Sequence, residues 1–308
     1  MSGLHGHLDL LAGIDATGRT ALRRQSFAAP IHISKPHHDV GWLVVNLASP
    51  APGLLAGDRV NLRVDVECGA KLRLTAPSAN RIHAMPEGHA ELVQTFRVAN
   101  GAALDVWPEY LIPQAGARYH QRTRIEVAPG GSLLWTETIA PGRAAAGEIF
   151  AFTELRIATD LHIGSIHAAR ERYMLTPGSA TQRALLRQFA TPYYASLLCA
   201  GPRLAAANDA VPRIASSCQG GGVLLGVSRL AADAWAVKIV AGSSPDLRHA
   251  VAVVRARLCA ILEITSPSLR RVTGESLPQL RLSGCGTSDV NAERRDFSTS
   301  PAPTTAAV

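Results

Sequence analysis

The chain has 308 residues, of which 47% are hydrophobic and 18% are charged, and its net charge is +7. This composition supports a sizeable core and excludes wholesale disorder. The basic charge is compatible with nucleic acid or an acidic protein partner. Nucleic-acid binding, however, requires clustered basic residues with stacking aromatics. Here the arginines are dispersed and only 5% of residues are aromatic, so we expect no nucleic-acid partner.

Targeting and cysteine patterns point to the cytoplasm. The opening MSGLHGHLDLLAG lacks the basic region and the long apolar run of a signal peptide. No apolar run approaches the roughly 18 residues of a membrane helix. The five cysteines are widely spaced without a CxxC pair, which disfavours a disulfide framework and a structural zinc site. We therefore expect a cytoplasmic protein with no membrane contact.

Strands dominate the first two-thirds of the sequence. NLRVDVEC (61–68) and RTRIEV (122–127) alternate apolar and polar residues, as a strand with one buried face does. Between the strands lie stretches rich in Gly and Pro, which we expect to form functional loops.

One pattern occurs three times, at VDVECGAKL (64–72), FRVANGAAL (96–104) and IEVAPGGSL (125–133). Each copy reads apolar, polar, apolar, two turn residues, Gly, a small residue, any residue, Leu. The glycines, at 69, 101 and 130, predict a positive φ in a turn between two strands. Recurring strand–turn–strand units favour stacked β layers. An antiparallel sandwich with similar hairpins is the alternative.

The last third of the sequence predicts helices at SATQRALLRQFA (179–190) and at SPDLRHAVAVVRARLCAILE (244–263). In the second helix we predict Ser244 as the N-cap, with Pro245 in the first turn. We therefore predict a mainly all-β fold, with a stacked-sheet β-helix-like core and about two helices near the C-terminal end. Residues 1–282 form a single domain in this interpretation, and 283–308 form a disordered tail.

Motifs of catalysis are missing from the sequence. It contains no GxxxxGK[ST], no GxSxG and no HExxH. Its carboxylates show no spacing that singles out an acid–base couple. Nothing in the sequence therefore points positively to an enzyme.

The stretch RIHAMPEGHAE (81–91) raises the question of a metal site. A turn at 86–88 predicts a hairpin in which His83 and His89 face each other at a Cβ separation of about 4.5–5.5 Å. Two imidazoles at that distance can hold nickel, copper or zinc. A lasting site needs three or four ligands, so the pair is a candidate for weak, transient binding. The alternative is an exposed cross-strand pair.

Three longer segments resemble the urease accessory protein D family (UreD, also called UreH). They are HISKPHHDVGWLVVNLASPAPGLLAGDRVNLRVDVECGAKLRLTAPSANRIH (32–83), WPEYLIPQAGARYHQRT (107–123) and LLWTETIAPGRAAAGEIF (133–150). The C-terminal third fits in order and length. The chain departs from the commonest forms at His37-His38, where an aromatic-rich pair is frequent, and in its long tail after 283.

The resemblance implies a β-helical core with C-terminal helices and a role without catalysis. Family members are chaperones that bind apo-urease and an all-helical accessory protein, UreF, which recruits the nickel-carrying GTPase UreG. They are thought to offer nickel an internal passage towards urease. On this basis we expect UreF-type, UreG-type and apo-urease partners, nickel bound only transiently, and no stable cofactor. A homodimer within the complex is left open.

Matching motifs place candidate ion-passage residues at Asp58 of LLAGD, Glu109 of WPEYL, Glu137 of WTE and Glu148 of APGRAAAGE. Arg143 is the candidate contact with an acidic partner. The alternatives are a turn cap for Asp58, solvent-facing carboxylates for the three glutamates and a loop cap for Arg143.

A β-helical carbohydrate-active enzyme is the rival function. Such an enzyme needs a set of carboxylates along a groove with aromatic platforms for sugars. The four tryptophans are widely spread along the sequence, which weakens this alternative.

Overall fold

Two facing β-sheets make up most of the computed structural model, which describes residues 3–176, 178–207, 209–216 and 222–265. The strands in chain order are β1 (His5–Ile14), β2 (Thr20–Ala28), β3 (His32–Ile33), β4 (His37–Asp39), β5 (Trp42–Ala48), β6 (Arg59–Val66), β7 (Lys71–Ala76), β8 (Asn80–Ile82), β9 (Ala90–Val98), β10 (Ala103–Pro108), β11 (Leu111–Pro113), β12 (Arg118–Val127), β13 (Ser132–Ile139), β14 (Glu154–Ile163), β15 (Ile166–Leu175), β16 (Tyr193–Ala200), β17 (Val223–Arg229) and β18 (Trp235–Ala241). The α-helices are α1 (Ala180–Gln188), α2 (Ala210–Ser216) and α3 (Ser244–Leu262), and 3₁₀ turns lie at Ala144–Ala146 and Pro202–Ala207. The predicted tail at 283–308 lies outside the described residues.

The first sheet has the strand order β15-β14-β12-β9-β6-β1-β2. The second has the order β17-β18-β16-β13-β10-β7-β5-β3, with β4, β8 and β11 paired off this path. The chain passes from one sheet to the other and back: β6, β9, β12 and β14 are parallel neighbours in the first, and β5, β7, β10 and β13 in the second. This coiling confirms the stacked-sheet, β-helix-like prediction. Antiparallel pairing is confined to strands at the ends of the stack.

The sequence repeat is one coil of this stack. Val66 pairs in register with Val98, and Val98 with Val127, in the first sheet. In the second sheet Leu72 pairs with Leu104, and Leu104 with Leu133. Equivalent residues of the repeat therefore form columns, so each coil buries its apolar side chains against the next coil.

Glycine occupies the turn position of the repeat for two different reasons. Gly69 and Gly101 adopt φ values of +76° and +68°, which confirms the predicted left-handed turn. Gly130 does not have a positive φ, so the prediction was wrong there. A Cβ at Gly130 would lie 1.9 Å from Oδ1 of Asn100 in the preceding coil. Close packing between coils, and not backbone conformation, requires glycine at that position.

Both predicted helices are present, and α2 is an additional one. Ser179 caps α1 by accepting a hydrogen bond from the amide of Gln182. The N-cap of α3 is Ser243, whose Oγ accepts from the amide of Asp246 at 3.2 Å, so the predicted cap at Ser244 is one residue late. Ser243 is the extended residue whose hydroxyl can reach the free amides of the first turn. Within the described part of the chain no helix is both long and apolar enough to cross a membrane.

The second sheet is buried on both faces. Its inner face packs on the first sheet and includes Val106 and Trp135. Its outer face packs on α2 and α3 and includes Leu134 and Leu197. These two layers form two hydrophobic clusters with the second sheet between them.

A buried charge network fastens α3 to the second sheet. The carboxylate of Asp105 accepts hydrogen bonds from Arg73 Nε at 2.8 Å and from Arg255 Nη2 at 2.6 Å. Arg255 of α3 also donates to Thr136 Oγ1 at 2.5 Å, and its guanidinium stacks over Trp107 with its carbon 4.2 Å from the ring centre. All three charged residues are at most 2% exposed, and Asp39, 3.9 Å from Arg73, adds a second negative charge against the two guanidinium groups.

Removing the Asp105 carboxylate should destabilise the fold. Asp105→Ala leaves Arg255 without its carboxylate and Arg73 with only Asp39, 3.9 Å away. We expect the free energy of unfolding to fall by about 3–5 kcal/mol, since a buried charge loses its partner. Urea denaturation measures this change. Arg229→Ala, which breaks an exposed pair with Asp233, is the control and should cost less than about 1 kcal/mol. An equal loss of unfolding free energy in the two variants would contradict a stabilising role of the buried network.

Candidate functional site

A cavity of about 350 Å³ lies between the two sheets. Its walls come from β6, β9 and β12 of the first sheet and from β7, β10 and β13 of the second. Most of the lining residues are apolar, and the polar ones from the strands and their ends are Thr75, Asn80, Arg81, Gln94, Glu109, Gln121, Thr136, Glu137 and Thr138. Two of the four predicted carboxylates, Glu109 and Glu137, therefore share one cavity.

Polar residues continue from the cavity across the second sheet. Glu137 of β13 pairs in register with Ser196 of β16, and Ser196 pairs with Lys238 of β18. Register partners on neighbouring strands point to the same side of a sheet. These three side chains therefore form one row on the face that looks toward the first sheet.

A matching row crosses the first sheet in register, from β9 through β12 and β14 to β15. Its members are Gln94, Thr123, Thr159 and Glu171. Lys238 joins the two rows at one end by donating to Glu171. At the other end Gln121 of β12, two residues before Thr123, links them by donating to both Glu137 and Thr123. We call these eight residues the polar layer: Gln94, Gln121, Thr123, Glu137, Thr159, Glu171, Ser196 and Lys238.

Glu137 is the carboxylate at the cavity end of the polar layer. It is 7% exposed and accepts a hydrogen bond from Gln121 Nε2 at 2.5 Å. Gln121 is held in turn by the hydroxyl of Tyr119, which donates to its Oε1 at 2.9 Å. Burial raises the pKa of Glu137 to about 7, the hydrogen bond from Gln121 opposes that rise, and Glu171 adds to it. Glu137 therefore exchanges its proton near neutral pH.

The far end of the polar layer is a cluster around Glu171. Its carboxylate accepts from Lys238 Nζ, from the Tyr173 hydroxyl at 3.0 Å and from Ser196 Oγ at 3.1 Å. The Tyr173 hydroxyl also contacts that of Tyr194. Burial lowers the pKa of Lys238, while Glu171 opposes that effect. Burial likewise raises the pKa of both tyrosines, which therefore remain neutral hydroxyls.

Glu109 lines the cavity and also binds helix α3. Its carboxylate binds Arg248 of α3 through two hydrogen bonds of 2.9 and 2.6 Å. The guanidinium carbon of Arg248 lies 5.0 Å from the ring centre of Tyr110. Glu109 is thus partly neutralised on one side while it lines the cavity on the other.

Asp58 lies outside the cavity lining and holds a loop. Its two carboxylate oxygens each accept a backbone hydrogen bond at 2.8 Å, from Leu4 and from Leu55. The side chain is buried, and these contacts match the turn-cap alternative. A role for Asp58 in ion passage stays a prediction.

Glu148 and Arg143 pair with each other across the APGRAAAGE loop. Glu148 also accepts from the amide of Ala115 at 3.0 Å. Arg143, and then this amide, lower the pKa of Glu148 to about 2. The Arg143 side chain is half exposed, so its predicted contact with a partner is sterically open and stays a prediction. Glu148 is not among the residues that line the cavity.

The predicted hairpin around His83 and His89 is wrong. β8 belongs to the second sheet and β9 to the first, so the intervening residues cross between sheets instead of turning back. Met85 and Ala90 are both buried and anchor this crossing. The ring of His89 packs against that of His120, with ring centres 4.0 Å apart.

No group of three or more His, Cys, Asp or Glu side chains that could hold a metal ion occurs in the described part of the chain. Weak binding by His83 or His89 individually stays a prediction.

Sequence reasoning missed most of the polar layer. Gln94 and Lys238 occupy the alternating positions that otherwise carry apolar residues, as in ELVQTFRV and WAVKIVA. A polar residue in the apolar phase of a buried strand was the available signal. That signal does not reveal which of these residues meet, because the contacts join strands far apart in sequence.

The pKa of Glu137 predicts a pH-dependent stability. Ionising this buried carboxyl is unfavourable in the folded protein, so its contribution is lost as pH rises from about 4.5 through 7. Relative to Glu137→Gln, we expect the wild-type chain to lose about 3 kcal/mol of unfolding free energy over that range. Urea denaturation of both chains across the range measures the difference. If the unfolding free energies of the two chains change with pH in the same way, the raised pKa of Glu137 is contradicted.

Comparison with known proteins identifies the family of this chain. A family model described as UreD urease accessory protein matches residues 4–273. The urease accessory protein UreD of Opitutus terrae is 35% identical over 259 residues, covering 82% of this chain and 93% of that protein. The UreD proteins of Herpetosiphon aurantiacus and Deinococcus radiodurans are 31% and 30% identical, and the matches cover 79% and 81% of this chain and 88% of each relative. The chain belongs to the UreD urease accessory protein family.

Proposed function

We propose that this chain is a non-catalytic maturation factor that passes nickel to apo-urease through the polar layer. Membership of the UreD family supports the urease connection. The observation that carries the passage is Glu137, a buried carboxylate on the cavity wall whose hydrogen-bond donor is the neutral amide of Gln121. The register row from Glu137 to Lys238 supports a continuation of the route beyond the cavity.

The chemistry of the polar layer suits transfer better than storage. Imidazole and thiolate ligands hold nickel, copper and zinc strongly. The polar layer instead offers carboxylate, amide and hydroxyl oxygens, which bind such ions more weakly. A chain that delivers nickel must not compete with the site that receives it.

The raised pKa of Glu137 fits this role. Near neutral pH the empty carboxyl is protonated in a large fraction of molecules, which reduces the cost of keeping it buried. A divalent ion that arrives releases this proton and meets a single negative charge. One carboxylate neutralises only half the charge of the ion, so the ion is favoured but not trapped.

The proposed complex supplies a protein at each end of the route. A UreG-type GTPase brings nickel, a UreF-type helical protein connects it to this chain, and apo-urease receives the ion. Curated relatives carry the name urease accessory protein, which supports the association with urease. We propose cytoplasmic action without a stably bound cofactor.

The structure does not favour the carbohydrate-active alternative. Trp42, Trp135 and Trp235 are buried, and Trp107 lies beneath the guanidinium of Arg255. The four tryptophans therefore form no exposed row of aromatic platforms for a sugar chain.

Nickel loading tests the passage. Glu137→Gln keeps the hydrogen bond with Gln121 possible but removes the negative charge. We expect the nickel content of urease matured with this variant to fall by about tenfold, the size of effect seen when a metal-handling group is lost. Metal analysis of purified urease measures the content, and co-purification reports complex assembly.

Glu126→Gln is the matched control, since Glu126 lies on the outer face of the first sheet and pairs there with Arg97 and Arg124. Nickel content should be unchanged in this control. Full nickel loading by Glu137→Gln would overturn the proposed passage.

Affinity purification tests the proposed partners. The tagged chain should retain a UreF-type protein and apo-urease, and a UreG-type GTPase should join through the UreF-type protein. Electrostatic binding to DNA weakens steeply with salt, so a salt-sensitive association with DNA in place of these partners would contradict the proposal.

A further inference from the structure

Three oxygen atoms surround one point at the far end of the polar layer. Lys238 Nζ occupies that point and donates to Glu171 Oε1, to Ser196 Oγ at 2.6 Å and to the Tyr173 hydroxyl at 2.9 Å. The oxygens come from both sheets, since Glu171 and Tyr173 belong to β15 and Ser196 to β16. An ammonium has three donors, so its hydrogen-bonding capacity is filled here.

We propose that the Lys238 ammonium occupies a latent divalent-cation site formed by Glu171, Ser196 and Tyr173. A cation already sits at its centre, and a carboxylate with two neutral hydroxyls is an oxygen ligand set for a divalent ion. The role of this site in nickel delivery rests on the proposed function, but the existence of the site does not.

A lysine is unusual on the inner face of β18. Its neighbours in the same phase of β18, Ala236 and Val240, are apolar, as expected for the inner face of a sheet. Burial of Glu171, whose side chain is 12% exposed, requires a positive partner, and Lys238 supplies one. The lysine thus neutralises a carboxylate that would otherwise attract a cation.

The surroundings leave room for the ammonium to move. Gly226 of β17 is the register partner of Lys238, and a Cβ placed at Gly226 would meet no atom within 4 Å. The Lys238 side chain is 35% exposed. A long, flexible side chain beside open space can swing aside when a more highly charged cation takes its place.

The Lys238 ammonium keeps the affinity of the Glu171 site for divalent ions low. A divalent ion must displace a filled set of hydrogen bonds and an existing positive charge before it reaches Glu171. The polar layer can therefore carry a carboxylate here without becoming a storage site, and an ion leaves again as the lysine returns.

Nickel binding to the purified full-length chain, which contains no urease, tests the site. Lys238→Met removes the ammonium and keeps a flexible, unbranched side chain, and we expect Ni²⁺ affinity to increase by on the order of tenfold. Competition with a coloured nickel chelator measures the affinity. Lys238→Arg keeps a positive charge and should show no gain. Lys238→Met combined with Glu171→Gln should return to the wild-type affinity, while the histidines of all variants stay the same.

Thermal unfolding gives an independent readout of the same site. Ni²⁺ should raise the melting temperature of Lys238→Met more than that of the double variant, because a ligand that binds the folded state stabilises it. Equal affinity for wild type and Lys238→Met, or a gain that persists without the Glu171 carboxylate, overturns the latent site. Full urease loading by Glu137→Gln would overturn the passage but leave these binding results unchanged, so the two proposals fail separately.

Discussion

A side chain that points between the two sheets leaves bulk water, and a polar one must find its partners there. This constraint organises the molecule. Alternation along each strand sends every second side chain inward, and the parallel coils stack these side chains into columns. Apolar columns, such as the one through Val98, form the core. The column that contains Gln94 and its register partner Thr123 is polar instead, and it belongs to the polar layer.

The second sheet meets the same constraint differently on its two faces. On the outer face, Asp105 pairs with Arg73 and Arg255 while Asp39 lies near Arg73, so each buried charge has a partner and the network fastens α3 in place. On the inner face, Glu137 accepts a hydrogen bond from Gln121 but contacts no cation among the described residues, and burial raises its pKa to about 7. The paired charges attach α3 to the sheet, whereas Glu137 is the carboxylate that we propose to receive a cation. The two faces of one sheet thus carry a structural charge network and the proposed ion-passage residue.

Local signals predicted the fold well. The repeat around Gly69 and Gly101 indicated one coil of the stack, and the apolar periodicity after Ser243 indicated α3. Where local reasoning failed, contacts distant in sequence decided the outcome. The stretch between His83 and His89 looks like a hairpin turn, yet its flanking strands join different sheets. A turn pattern reports a change of direction and not the strand that the chain meets next.

The sequence by itself determined the strand alternation, the coil repeat, the helices and the four candidate carboxylates. Only the tertiary structure placed Glu109 and Glu137 in one cavity, left Asp58 and Glu148 to hold loops, and brought Glu171 to Lys238 across 67 residues of chain. The physical reason is that alternation fixes which face a side chain takes, whereas pairing between coils and sheets fixes its neighbours. Charge, burial and pKa depend on those neighbours.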